Sequence, residues 1–403
     1  MRPDWGIKRL GEVCKTGAGG TPLKREKSYY ENGTIPWLLS GEVGKKDILE
    51  AQNYISEQGL NNSSAKVFPE NSVLIAMYGA TAGEVGILRF PAATNQAVCA
   101  IFPNDVILPE FLFYFFNHFK NELVAQAVGN AQPNISQTKI RNTQIPIPPL
   151  PEQKAIVRIL DQAFAAIDQA QANIQRNIEN AEELLDSVSQ TLFESSIEGD
   201  YLWTLNDICE LIVDCEHKTA PTQETGYPSI RTPNIGYGEL ILEDVNRVSE
   251  EVYKKWTRRA IPQPGDLILA REAPAGNIAV IPKDTYVCLG QRTVLIRPQR
   301  DKLNPKYLAY LILSRNVQKR LLSHSQGATV GHINMRDIRG FKFSELPSLE
   351  EQKKMVENIE VTLNKYRLIT KTYGMKIQNL ENLKKSLLQK AFSGELTKNE
   401  IPA

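Results

Sequence analysis

Apolar residues recur at spacings of four and three, alternating in the first apart from one stutter at Ile174–Ile178, along two long stretches of the chain. In the first they fall at Ile156, Leu160, Ala163, Ile167, Ala170, Ile174, Ile178, Ala181, Leu185, Val188 and Leu192. In the second they fall at Ile359, Leu363, Tyr366, Tyr373, Ile377, Leu380 and Leu387, with Thr370 and Lys384 as polar interruptions. So narrow a stripe predicts a coiled-coil seam, not the broad face of a helix lying on a globule. Pro151 and Glu152 suit the start of the first helix, where a missing N–H costs nothing and negative charge is favoured. Ser348 and Glu351 form a capping box for the second. Forty such residues make a rod of about 60 Å.

The two stretches are one motif written twice. PLPEQKAIVRIL begins at Pro149 and SLEEQKKMVENI at Ser348, so Glu152-Gln153-Lys154 returns 199 residues later as Glu351-Gln352-Lys353. Ser187, Gln190 and Phe193 return as Ser386, Gln389 and Phe392. A period that long is a duplicated module, not a solenoid unit. The division it predicts is a globular segment over residues 1–148, a helix over 149–199, a second globular segment over 200–347, and a helix with a tail over 348–403.

The globular segments alternate short β-type runs with Gly, Pro and Asn. The first predicts strands within Ile35–Val43, Ser72–Tyr78, Glu84–Phe90 and Gln96–Phe102. An apolar helix follows over Pro109–Leu123, and Gly17–Pro22 reads as a flexible loop. The second repeats it: Tyr227–Ile235 answers Ile35–Val43, Pro264–Gly276 answers Glu70–Gly83, Gly290-Gln291 answers Asn95-Gln96, and Gly327–Asn334 answers Gly129–Ser136. Framework positions keep their residue type while loop positions do not. The fold class predicted is α+β: two similar globular domains of mixed strands and helices, separated by two long helices that pack together, as an internal repeat.

Charge sharpens this only locally. The net charge is +1, unlike a stand-alone nucleic-acid binder. Residues 151–199 carry a net −6 and residues 349–403 a net +3, which suits two helices packed together. Five cysteines form no C-x-x-C pair and there is no secretory leader, so reduced thiols and a cytoplasmic location are expected. The longest apolar run, Phe111–Phe116, is far short of the ~20 residues that span a bilayer, so no membrane is expected.

Catalytic signatures are missing. There is no phosphate-cradling G-x-x-x-x-G-K-[ST], no H-E-x-x-H and no G-x-S-x-G. Asp266 and Glu272 lack the Glu-x-Lys that would complete a nuclease-like carboxylate cluster. His217 lies beside Cys215 without further ligands, so no metal site is expected. His118 reads as a helix-surface histidine.

The order of these motifs resembles the specificity subunit of type I DNA restriction–modification systems. The resemblance rests on Trp5 and Trp203 opening the halves, Gly19-Gly20-Thr21-Pro22, Leu150-x-Glu152-Gln153, Leu349-x-Glu351-Gln352 and the closing QKAFSGEL at Gln389–Leu396. It covers nearly the whole chain. The first half departs from it at Phe193–Ile197, where the second reads Phe392–Leu396. The resemblance implies a non-catalytic reader of double-stranded DNA. Each domain would be a target-recognition domain reading one half of an asymmetric bipartite site, and the two long helices, packed antiparallel with the halves related by a pseudo-two-fold axis, would set the spacer. It also implies docking of two modification (methyltransferase) subunits that carry S-adenosylmethionine. Restriction subunits using ATP and Mg would join them, and this chain itself would hold no cofactor. The outer helix faces, with Phe193, Ile197, Leu383 and Phe392, are candidate docking positions. The competing expectations are a coiled-coil scaffold with two protein-binding heads, and an enzyme with unrecognised motifs.

Base-contacting residues are chosen by chemistry, since Arg and Lys suit guanine edges and Asn and Gln suit adenine. In the first half they are Lys24, Arg25, Ser40, Glu42, Tyr78, Thr81, Asn95, Gln96, Asn130 and Gln132. In the second they are His217, Lys218, Arg231, Thr232, Arg271, Gln291, Arg292, Thr329, His332 and Asn334. Lys254, Lys255, Arg258 and Arg259 around Trp256 form the densest basic cluster, suited to phosphate.

Overall fold

The duplicated Glu-Gln-Lys motif begins two long helices, Leu150–Ile197 and Leu349–Ser393, in a computed structural model of the chain. It describes residues 5–125, 134–272, 274–323 and 332–398. The chain divides into two units that cut both helices: residues 1–173 with 375–403, and residues 174–374. Each unit therefore holds one globular domain, the half of one long helix adjoining it and the opposite half of the other.

Among the described residues the two units share a frame. In the first, a five-stranded sheet runs in the order Thr16–Ala18, Val98–Ile101, Val73–Ala76, Val85–Leu88, Asp47–Ile48. In the second the order is Cys209–Asp214, Thr293–Pro298, Leu267–Ala270, Ile278–Val280, Gly238–Glu239. Both sheets are antiparallel except for the last pair, which is parallel. Each domain is pinned near its ends by a two-stranded ribbon, Gly6–Arg9 with Gln144–Ile147 and Trp203–Thr204 with Lys342–Phe343. The central strands are buried on both faces, so they read as continuous apolar runs instead of alternating.

The strands are shorter than their apolar runs suggest. Ile35–Leu38 ends before a 3-10 turn at Ser40–Glu42, and the Pro109–Leu123 helix breaks into Pro109–His118 and Lys120–Ala125. Gly17–Pro22 is not a loose loop. Thr16–Ala18 is a strand, the Gly20 carbonyl accepts from Trp37 Nε1 at 3.0 Å, and a Cβ at Gly20 would lie 2.3 Å from the Ala65 nitrogen. Only glycine permits that approach.

The glutamine of the repeated motif explains why the motif is repeated. Gln153 is fully buried; its Oε1 accepts from the Leu108 N–H at 2.8 Å, and its Nε2 donates to the Val106 and Pro148 carbonyls at 3.0 and 2.9 Å. Gln352 does the same with the Asn304 N–H and the Lys302 and Pro347 carbonyls, at 2.7, 2.9 and 2.8 Å. Each carboxamide ties the loop before the domain's apolar helix to the start of a long helix. The glutamates differ. Glu152 is buried and accepts from Trp5 Nε1 and Thr397 Oγ1, at 3.1 and 2.6 Å. Glu351 is exposed and accepts from the Ser348 N–H at 2.9 Å, completing the expected capping box.

The helical seam is buried at Ile156, Leu160, Leu185, Ile359 and Leu363, which belong to the domain cores, and at Ile167 and Ile174. Tyr366, Tyr373, Ile377 and Leu380 are half-buried, and Tyr366 packs against the core of the second unit. Within the first unit Lys384 pairs with Asp168 and lies 5.4 Å over the Phe164 ring. Within the second, Asn177 Nδ2 donates to the Tyr373 hydroxyl at 3.2 Å.

Three of the four outer-face docking positions are interior. Phe193 is fully buried and meets Tyr307 edge-on at 5.5 Å, Ile197 lies in the same core, and Phe392 packs against Phe111 and Phe115. The helix exits close the domains, so these side chains are not available to a partner; Leu383 is exposed. His118 is not a surface histidine either: it stacks on Phe392 at 5.4 Å, and burial lowers its pKa.

Candidate nucleic-acid interface

Antiparallel pairing decides which loops meet. In the second unit Ala270 faces Thr293 and Asp214 faces Val294, so the chain leaves or enters three strands at one sheet edge. An isolated bridge, Glu272 to His332, brings a fourth segment there. Arg271, Gln291, Arg292, His332 and the turn at His217 therefore gather although 115 residues of sequence separate His217 from His332. The first unit does the same. Cys99 faces Ala18, Val98 faces Ala76, and Tyr78 bridges Asn134, so the Gly19–Pro22 loop, Tyr78 and Asn95-Gln96 share an edge. Gln96 hydrogen-bonds Thr21 across it.

The second edge is one connected network. Arg271 is its base, with a side chain only 10% exposed. Its Nε donates to the Ile333 carbonyl at 2.9 Å, its Nη1 to Asp214 Oδ2 at 2.8 Å, and its Nη2 to His332 Nε2 at 2.9 Å. A guanidinium only donates, so His332 Nε2 accepts and its Nδ1–H donates to Glu272 Oε1, at 2.6 Å. The other Glu272 oxygen lies 2.9 Å from Arg292 Nε. His217 Nε2 lies 3.2 Å from Asp214 Oδ2. The side chains that face solvent are His217 (68%), Arg292 (57%) and His332 (39%).

Several candidate readers make contacts within the fold. Each Arg271 nitrogen already donates within it. Thr232 is buried in a 3-10 turn. Glu42 accepts from the Leu39 and Gln52 N–H groups at 2.7 and 2.9 Å, and Asn95 Oδ1 from Ala97 N–H at 3.1 Å. Asn334 N-caps the short Met335–Arg339 helix, with its Nδ2 3.3 Å from Asp337. Lys24, Arg25, Lys218 and Arg231 are exposed, and Ser40 and Thr81 are half-exposed. Gln291 Nε2 lies 3.4 Å from the His217 carbonyl. Asn130, Gln132 and Thr329 fall outside the described residues.

The basic cluster is tied down. Arg258 and Arg259 converge on Glu216, and Arg259 Nη1 reaches the Asp214 and Cys215 carbonyls at 3.3 and 3.2 Å. Lys254 pairs with Glu250 at 2.8 Å, and Lys255 lies 5.8 Å over the Trp256 ring. Asp214, Glu216 and Glu272 are the organisers that sequence reasoning passed over. Their signal was acidic residues beside candidate bases in loops that should be basic.

The histidine at 217 does have a third neighbour: Asp214, Cys215 and His217 each offer one ligand atom within 4.8 Å of the others. The donor set suits a cation poorly. Asp214 already answers the Arg271 guanidinium, and burial pushes the Cys215 thiol up, away from the thiolate a metal needs. Asp266 and Glu272 form no acidic pair, since Asp266 is fully buried against Arg297.

Among the described residues no helix is long and apolar enough to cross a membrane. The type I restriction modification DNA specificity domain matches residues 3–180 and 202–377. The EcoR124I/EcoR124II specificity subunit of Escherichia coli is 29% identical over 46% of this chain and 47% of its own length. The type I restriction enzyme MjaVIII specificity subunit of Methanocaldococcus jannaschii is 24% identical over 98% of this chain and 93% of its own. A chain from a solved type I R-M system superposes with a TM-score of 0.76 at 22% identity, covering 98% of this chain and 99% of that one. The HsdS subunit of Thermoanaerobacter tengcongensis gives 0.56 at 21%, covering 98% of each. With its two domains, its repeated helix starts and this match along both halves, the chain belongs to the family of type I restriction–modification specificity subunits.

Proposed function

We propose that this chain is the non-catalytic DNA-reading subunit of a type I restriction–modification assembly. Each unit contacts one half of an asymmetric bipartite site in double-stranded DNA through its sheet-edge loops. The long helices set the unread spacer and dock two methyltransferase subunits. Those subunits carry S-adenosylmethionine, and ATP and Mg belong to restriction subunits that join them. The assembly works in the cytoplasm.

One observation carries this reading. The two units keep one frame yet present different side chains at equivalent edges: Tyr78 and Asn134 bridge in the first, Glu272 and His332 in the second. A frame that holds its backbone constant while varying polar tips is suited to reading two different sequences. With a net charge of +1, the chain alone should hold DNA weakly and with strong salt dependence. The test is methylation mapping of a DNA library by the chain with its cognate methyltransferase. A two-part motif methylated only by the mixture is expected. Methylation of the same motif without this chain would overturn the reading.

A further inference from the structure

We propose that Arg292 reads a guanine in the half-site of the second unit and that Glu272 positions it for that task; the inference rests on the DNA-reading function above. Arg292 stands at the tip of the turn into the Thr293–Pro298 strand, with φ at +65°. Non-glycine residues seldom adopt that conformation, and it is held when the surroundings dictate it. Here they do. The Gly290 N–H donates to the Ile230 carbonyl at 2.7 Å, Thr293 Oγ1 to the Gly290 carbonyl at 2.8 Å, and the Arg271 N–H to the Arg292 carbonyl at 2.8 Å. The side chain is paired by charge: Glu272 Oε2 lies 2.9 Å from its Nε, while His332, itself clamped by Arg271, occupies the other carboxylate oxygen.

Nη1 and Nη2 make no hydrogen bond among the described residues. They form the outward prong of the fork, on a side chain 57% exposed. Two parallel donors in a fixed plane match the O6 and N7 acceptors of guanine. A phosphate would match the same fork, but Glu272 argues against it. A carboxylate beside the guanidinium cancels its net charge and repels an anion, whereas a neutral base edge loses little. Pre-orientation also lowers the entropy lost when the long side chain is fixed. The equivalent position in the first unit, by the match of Gly290-Gln291 to Asn95-Gln96, is Ala97, so this device belongs to one half-site only.

The test uses the full chain assembled with its methyltransferase. Methylation motifs and competition binding are compared for wild type, Arg292→Ala, Arg292→Lys and Glu272→Gln. Arg292→Ala should relax one G·C position of one half-site by roughly 10- to 100-fold and leave the other half unchanged. Arg292→Lys should relax it less, keeping charge without the fork. Glu272→Gln should relax the same position with the salt dependence of binding unchanged. Three results would overturn the proposal. One is uniform weakening on all sequences, with the salt slope reduced by about one, which marks a phosphate contact. Another is an affected half-site built of A·T pairs alone. The last is unchanged selectivity in folded variants. A wild-type assembly that yields no bipartite motif would instead remove the functional reading, and this inference with it.

Discussion

Replacing Gln153 with leucine keeps a side chain of similar bulk and deletes every polar atom of the carboxamide. Three backbone groups then lose their partner in a site closed to water: the Leu108 N–H and the Val106 and Pro148 carbonyls. A typical hydrogen bond contributes about 1 kcal/mol net, and a buried group left unpaired costs about 1–3 kcal/mol. Three bonds at the lower figure make the local loss about 3 kcal/mol. Each 1.4 kcal/mol is tenfold in an equilibrium constant, so the opening that exposes the Leu108 amide should become more than 100-fold more frequent.

Hydrogen exchange read by peptide is the assay, because a protein of two units does not unfold as a single two-state body. Faster exchange should be confined to the segment around Val106–Leu112 and the first turns of the Leu150–Ile197 helix. Gln352→Leu should do the same at the Asn304 amide in the second unit. Gln175→Leu, an exposed position on the same long helix, is the control and should change little. An increase below tenfold at Leu108 with the helix start intact would refute the clamp. The frame would then be held by apolar packing alone.

Other consequences are simpler to read. All five cysteines are buried, with burial pushing Cys99 and Cys209 up to about 12, so a thiol reagent should find none in the native chain and five in denaturant. Asp266 is fully buried and takes Arg297 bidentately at 2.9 and 2.7 Å. Arg297→Met should destabilise the second unit by about 3–5 kcal/mol, and adding Asp266→Asn should recover part of it; thermal melts decide. Burial lowers the pKa of His118 below the ordinary histidine value of about 6.5, so the unfolded chain binds its proton first. The contribution is complete above pH 6.5 and is lost as pH falls through that value toward the lower folded pKa. A melting temperature that falls from pH 7.5 to 5.5 should fall less in His118→Phe, and an equal fall in both would contradict the assignment.

The fold was legible where periodicity and repetition act over many residues. The seam, the capping box at Ser348 and the duplicated two-domain layout follow from spacing alone. The short strands were legible as apolar runs, but their ends were not, because tertiary pairing trims them. The sheet-edge sites were half legible. Residue chemistry named His217, Arg292 and His332, which share an edge. It also named Arg271, Glu42 and Thr232, whose polar groups or burial serve the frame. An arginine that reads and an arginine that braces look alike in sequence. The difference lies in Asp214, the Ile333 carbonyl and His332, brought together only by strand pairing.

The bracing contacts also account for how one frame tolerates different loops. Gln153 and Gln352 spend all their hydrogen bonds on backbone atoms, and Arg259, beside its ion pair with Glu216, reaches the Asp214 and Cys215 carbonyls. Backbone partners are present whatever side chain the neighbouring position carries. Loop residues can then change without loosening the joint between domain and helix. The bridge at the sheet edge follows the same logic, since Tyr78 with Asn134 and Glu272 with His332 pair through the main chain. What varies is carried outward from that bridge, and what holds the domain in register is carried inward. Variation at the tip is thereby uncoupled from stability at the base. That uncoupling is the physical condition for a duplicated domain to acquire a second specificity while both copies keep folding.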